Sequence, residues 1–114
     1  MRHFVRVMRA LSDPGRVKII KLLGRGELCV CELTALLGLA QPTVSKHLRV
    51  LEEAGLVRFR KEGSWIIYHL PPEAETVYAR DMLANLALRL EDDPQIRGLL
   101  ERLPEMERCR IRAA

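Results

Sequence analysis

QPTVSKHLRVLEEAGL, residues 41–56, has the marks of a single helix with two unlike faces. Val44, Leu48 and Leu51 recur at i, i+4 and i+7 and share one stripe, whereas Pro42, Ser45, Lys46, Arg49 and Glu53 fall around the other side. Pro42 sits in a first turn, where its missing N–H breaks no bond. Gln41 reads as the cap before it, and Gly55 supplies the left-handed residue that closes a helix. The outward hydroxyl, amide and cationic groups are the types that pair with base edges and phosphates in a major groove. Taken alone, the same pattern also describes a solvated face, so the surrounding chain has to decide.

Immediately upstream, Leu33, Leu36 and Leu37 define a helix that starts near Cys29–Val30–Cys31 and ends at Gly38. The gap from Gly38 to Gln41 is a tight glycine-containing turn, so the two helices form a helix-turn-helix pair whose second member enters the groove. Downstream of Gly55 the period changes. Val57 and Phe59 alternate with Arg58 and Arg60, a turn is predicted over 61–64, and WIIYHL (65–70) is rich in strand formers. That is a hairpin with a basic tip, the wing of a winged helix. Arg58, Arg60 and Lys61 can reach phosphates there, or can simply keep an exposed hairpin soluble.

Toward the N-terminus, Phe4, Val7, Met8 and Leu11 predict a short helix over 3–11, too short to stand without a packing partner. Ser12-Asp13-Pro14 starts the next, with Asp13 as cap and Pro14 in first position, running to about Leu23 before Gly24 and Gly26. Pro71-Pro72 ends the hairpin. A helix is predicted from about Glu73 to Leu90, with Ala79, Met82, Leu83, Leu86, Ala87 and Leu90 covering more than one side. So much apolar surface on a terminal helix calls for a partner subunit, met by this helix and the first across a two-fold axis. Asp92-Asp93-Pro94 restarts a short helix over roughly 95–103, and Cys109 lies in the polar end of the chain. The expected architecture is mostly α with a small β-hairpin: a winged helix-turn-helix over 1–90 for DNA binding and dimerisation, and a C-terminal helical extension and tail over 91–114.

With 114 residues, 48% of them hydrophobic, the chain can bury one modest core, and a net charge of +4 with a pI near 9.3 favours a polyanionic partner. No apolar run approaches the ~18 residues of a membrane span. The N-terminal residues MRHFVRVMRALSD lack a signal peptide's uninterrupted apolar core, so a cytoplasmic location without membrane partners is expected. In that reducing setting three cysteines are a poor disulfide framework, and metal, metalloid or redox chemistry is the better reading.

Cys29 and Cys31 precede the reading helix directly. Side chains two apart diverge in a regular helix, so joint chelation is expected to require a distorted helix start. A helix N-terminus favours thiolate, and thiolates select soft ions, so inducer affinity is expected to fall at acid pH. Two sulfurs are too few for a closed zinc site; a third can come only from Cys109. The bland readings are two small buried apolar residues for the pair and an incidental tail thiol for Cys109. His47 lies at the edge of the apolar stripe as a structural group or a phosphate contact, while His3 and His69 have no second ligand at metal spacing.

On these residues the chain resembles the ArsR family of metal- and metalloid-responsive winged-helix repressors. The carrying segments are ALSDPGRVKIIKLL (10–23), ELCVCEL (27–33), GLAQPTVSKHLRVLEEAGLV (38–57) and GSWIIYHL (63–70). The resemblance implies a homodimer that represses its own operon until an inducer binds, As(III) or Sb(III) in the arsenic branch. Cys29 and Cys31 match the first two thiols of that branch. Thr34 stands where its best-known members have a third, so Cys109, from the same or the opposite subunit, is the candidate replacement. Ala40 stands where members often carry a serine cap, and the zinc branch's last-helix ligands are missing, Leu83 standing near Asp81 in place of histidine.

The expected function is therefore a homodimeric repressor of operator double-stranded DNA that needs no cofactor to bind it and is released by a thiophilic metalloid. Gln41, Thr43, Ser45, Lys46, His47 and Arg49, with the wing residues, are the DNA candidates. Oxidation or persulfidation of the thiols, or another soft metal, is the alternative signal on the same module. A small thiol enzyme is disfavoured because no residue resembles a general base paired with either cysteine and no phosphate or dinucleotide loop is present. A dimerisation-only adaptor would bind no operator at all.

Overall fold

A computed structural model describes residues 1–104. Among these residues the order is α1 (Arg2–Ala10), α2 (Pro14–Leu23), β1 (Leu28–Cys29), α3 (Val30–Leu37), α4 (Gln41–Glu53), β2 (Arg58–Glu62), β3 (Trp65–His69), α5 (Val77–Leu88) and α6 (Pro94–Glu101). Cys109 lies outside the described residues.

Helix starts follow local chemistry. Asp13 holds an extended conformation, and its Oδ1 accepts from the backbone N–H of Gly15 at 2.8 Å and of Arg16 at 3.3 Å, with Pro14 first in α2 as predicted. In α4 the cap is Ala40, not Gln41. The residue with extended φ/ψ is Ala40, its carbonyl accepts from Thr43 and Val44, and its methyl offers no cap of its own. The far end closes as expected: Gly55 turns left-handed at φ 76, and the Leu56 N–H reaches back to the Leu51 carbonyl at 2.9 Å. α5 begins at Val77 rather than near Glu73. Residues 71–76 form no regular element, and Thr76, itself extended, caps the helix by accepting from the Ala79 N–H at 3.1 Å.

The wing has one strand more than the sequence suggested. β2 and β3 pair antiparallel with Glu62 opposite Trp65, leaving a tight turn at Gly63 (φ 59) and Ser64. β1 adds to the other edge of β3, with Leu28 opposite Tyr68 and Cys29 opposite Ile67. A two-residue strand carries no alternation for a pattern to detect.

The core gathers under α4. Val44, Leu48 and Leu51 are fully buried, together with Ile19 and Leu22 of α2, Leu33 and Leu36 of α3, and Leu56 and Val57 after α4. α6 packs on α2 and buries Ile96, and Arg102 donates to the Leu36 carbonyl at 3.2 Å. α1 packs on α5 within the chain, with the Phe4 and Tyr78 rings edge to face at 5.6 Å. Phe4, Val77, Tyr78 and Leu88 remain exposed on these two helices. No helix among the described residues is long and apolar enough to cross a membrane.

Candidate reading face and thiol pair

α3 and α4 are joined by Gly38, left-handed at φ 66, with Leu39 and Ala40 completing the turn. This sets α4 with its buried stripe on α2 and α3. Gln41, Thr43, Lys46 and Arg49 are exposed and Ser45 half-buried. His47 is placed differently from these five. It turns inward to α2, Nδ1 3.2 Å from an Arg16 guanidinium nitrogen and Nε2 3.8 Å from Asp13 Oδ1. It braces the reading helix against the cap of its neighbour.

The wing cations are not equivalent either. Arg60 binds Glu27 and Glu62, with Nη2–Oε1 and Nε–Oε2 distances of 2.9 Å respectively, and Arg58 binds Glu75. Lys61, Lys46 and Arg49 form no ion pair among the described residues. The sequence shows cations at the tip but not which of them is already engaged by an acid distant along the chain.

The thiols converge at the strand-to-helix junction. Cys29 ends β1 and caps α3 in an extended conformation (φ −82, ψ 164), while Cys31 is the second residue of the helix; their sulfurs lie 2.8 Å apart. The helix start is regular, so the expected distortion is not needed. Extended backbone at Cys29 turns its side chain toward Cys31. Cys29 is buried and Cys31 exposed, both as free thiols. The backbone N–H of Cys29 donates to Glu32 Oε1 at 2.8 Å.

The Cys29 thiol is also less acidic than its helix-start position suggested. Burial, the hydrogen bond to Cys31 and the nearby Glu32 carboxylate push it up to about 12. Position at a helix start favours the anion, but desolvation and a neighbouring acid outweigh it. Among the described residues no group of three or more His, Cys, Asp or Glu side chains is arranged to hold a metal ion.

Beside the sulfurs lies a cavity of about 270 Å³, lined by Cys29, Val30 and Cys31, by Gln41 and Ser45 of α4, and by Ser64, Trp65 and Ile66 of the wing. Sequence reading took Trp65 and Ile66 only as strand formers. Their approach to the thiols depends on β1 pairing with β3, which leaves no local signal.

A three-stranded wing beside a two-helix reading unit defines a winged helix-turn-helix, the architecture of DNA-binding regulators. Residues 13–58 match the bacterial regulatory protein, arsR family. The chain is 48% identical over 68 residues to the arsenic resistance transcriptional regulator ArsR1 of Pseudomonas putida, covering 59% of this chain and 53% of that protein. It is 44% identical over 69 residues to the arsenical resistance operon repressor of Escherichia coli, covering 60% and 59%. Against ArsR2 of Pseudomonas putida it is 43% identical over 97 residues, covering 75% and 84%. The chain thus spans little more than half the length of the first two. A homodimeric winged helix-turn-helix DNA-binding domain from Mycobacterium bovis superposes with a TM-score of 0.64 at 26% identity, covering 91% of this chain and 83% of that one. The chain belongs to the ArsR family.

Proposed function

We propose that the protein is a homodimeric transcriptional repressor that holds operator DNA until trivalent arsenic or antimony binds Cys29 and Cys31, with Cys109 the further thiol for an inorganic ion. The observation that carries this is the 2.8 Å approach of two sulfurs directly beside the reading helix. Relatives that regulate arsenic resistance in Pseudomonas putida and Escherichia coli support the choice of inducer. Gln41, Thr43, Ser45, Lys46 and Arg49 contact bases and phosphates, and Arg58, Arg60 and Lys61 add backbone contacts. Paired through the exposed apolar residues of α1 and α5, two copies set their reading helices ~34 Å apart, one turn of DNA.

Ligand binding at the thiols moves the start of α3 against α4, and the cavity shared with Gln41 and Ser45 gives that movement a direct route to the reading face. A coupling of ~1–3 kcal/mol changes operator affinity about 5- to 150-fold and acts equally on inducer affinity. The test is fluorescence anisotropy of reduced protein on its own promoter DNA, titrated with arsenite at fixed salt. Arsenite should release the wild type and leave Cys29→Ser bound. Wild type that stays bound at arsenite well above the protein concentration rules out the metalloid inducer.

The sulfur contact favours one second reading, in which a two-electron oxidant joins Cys29 to Cys31 and releases DNA. Release of metalloid-free protein by an oxidant, reversed by a reductant, would support it.

A further inference from the structure

Resting on the homodimeric repressor reading, we infer that α1 carries a second DNA-contact surface, in which Arg2, Arg6 and Arg9 bind the operator's phosphates between the two half-sites. α1 reads RHFVRVMRA and holds no acid. Its three arginines recur at i, i+4 and i+7, so they share one stripe, and all three are exposed. Val7 and Ala10 enter the core, and Phe4 meets Tyr78 of α5 on the far flank of that buried pair, so neither contact uses the stripe. None of the three arginines forms an ion pair among the described residues, whereas Arg58 and Arg60 of the wing are both held by acids. Like charges one turn apart repel, and a polyanion laid along them relieves that cost.

The stripe opens toward the reading helix. Arg2, Arg6 and Arg9 line a groove of about 580 Å³ between α1 and the second half of α4, where Val50 and Glu53 face them. Lys46, Arg49 and Glu53 follow one another at i, i+3 and i+7 on one exposed ridge of α4, so the groove borders the face that phosphates approach. Glu53 is the one acid in that lining, against three arginines, and forms no ion pair among the described residues. Arg16 fixes the arrangement: its guanidinium donates to the Ala10 carbonyl at 2.6 Å and the Arg9 carbonyl at 3.3 Å, and lies 3.2 Å from His47 Nδ1. One side chain thus ties the end of α1 to the reading helix. Two copies paired through α1 and α5 bring both stripes to the middle of the dimer, between reading helices one DNA turn apart. On that face of B-DNA a minor groove separates the two major grooves, and the phosphates along it are the ones the stripes meet. Contacts there add affinity and salt dependence, and fix the register of the dimer without reading bases.

The test uses reduced full-length protein on its own promoter DNA, with affinity measured by anisotropy across a series of salt concentrations. Arg6→Ala and Arg9→Ala, each checked for a wild-type helical spectrum and for a dimer by sedimentation, should each lower the slope of log affinity against log salt by about 1, and the double variant by about 2. Arg6→Lys keeps the charge and should recover most of the loss at that position. Neutral methylphosphonates at the centre of the operator should weaken the wild type but cost the double variant little beyond what it has already lost. Three results each overturn the inference: slopes unchanged in the folded variants, methylphosphonate losses that simply add to those of the variants, or variants that no longer dimerise, because the arginines then hold the second copy instead of DNA. Wild type that binds the promoter alongside any of these leaves the repressor reading standing, whereas wild type that binds no promoter DNA at any salt overturns that reading and this inference together.

Discussion

The ammonium of Lys21 lies 2.7 Å from the Leu86 carbonyl oxygen and equally close to that of Arg89, so a buried cation of α2 closes the C-terminal end of α5. Glu91, at 3.1 Å, supplies the balancing charge from the surface. Lys21→Met keeps the apolar stem but strips these carbonyls of their donor. A loss of ~1–3 kcal/mol in urea unfolding is expected, the usual penalty for stranding buried acceptors. The hydrogen bond and charge of Lys21 hold the Glu91 carboxyl below its ordinary range. Its contribution is therefore present above the unfolded glutamate value of ~4.3 and lost as pH falls through the lower folded value. In Lys21→Met that part of the acid sensitivity should vanish.

Ala40 sits at the cap of the reading helix in an extended conformation that a serine also adopts. A serine hydroxyl there can accept from the N–H of Thr43, since Pro42 has none to give. Ala40→Ser should stabilise by ~0.5–1 kcal/mol, raising the urea midpoint with an unchanged slope. A drop in the midpoint would show that the turn from Gly38 has no room for the hydroxyl.

The ion pairs of the wing separate its cations by function. Lys61 is unpaired among the described residues, whereas Arg60 is held by Glu27 and Glu62. Lys61→Ala should weaken promoter binding uniformly across sequences and reduce the salt slope by ~1, as for one lost phosphate contact. Arg60→Ala should reduce it by less. Anisotropy titrations at a series of salt concentrations measure both.

Because the Cys29 thiol keeps its proton to about 12, it is protonated at neutral pH, and arsenous acid removes that proton as water. Proton release and hydroxide release cancel. The Cys29 bond therefore adds no pH dependence to arsenite affinity between about pH 6 and 8, in place of the acid-side weakening expected of a preformed thiolate. A soft divalent cation brings no hydroxide, so its affinity should rise with pH by up to about tenfold per unit for each proton displaced. The association rate should rise with pH for both, since the thiolate is the attacking form. Arsenite titrations by tryptophan emission at several pH values distinguish the cases, and a steep pH dependence for arsenite would mean that Cys29 is ionised in the free protein.

Sequence alone determined the elements whose causes lie within a few residues. The Val44, Leu48 and Leu51 stripe, the Asp13-Pro14 start and the left-handed closure at Gly55 all act over one or two helical turns, so their residue types suffice to place them. The helix-turn-helix and hairpin follow from those signals, and with them the candidate reading residues. Tertiary structure decided what depends on segments far apart in the chain. Cys29 pairs opposite Ile67, and that pairing sets the thiols beside Trp65; His47 turns toward Arg16 instead of outward; Glu27 claims Arg60. The height of the Cys29 thiol belongs to this group as well, because desolvation is a property of everything packed around a sulfur rather than of its neighbours in sequence.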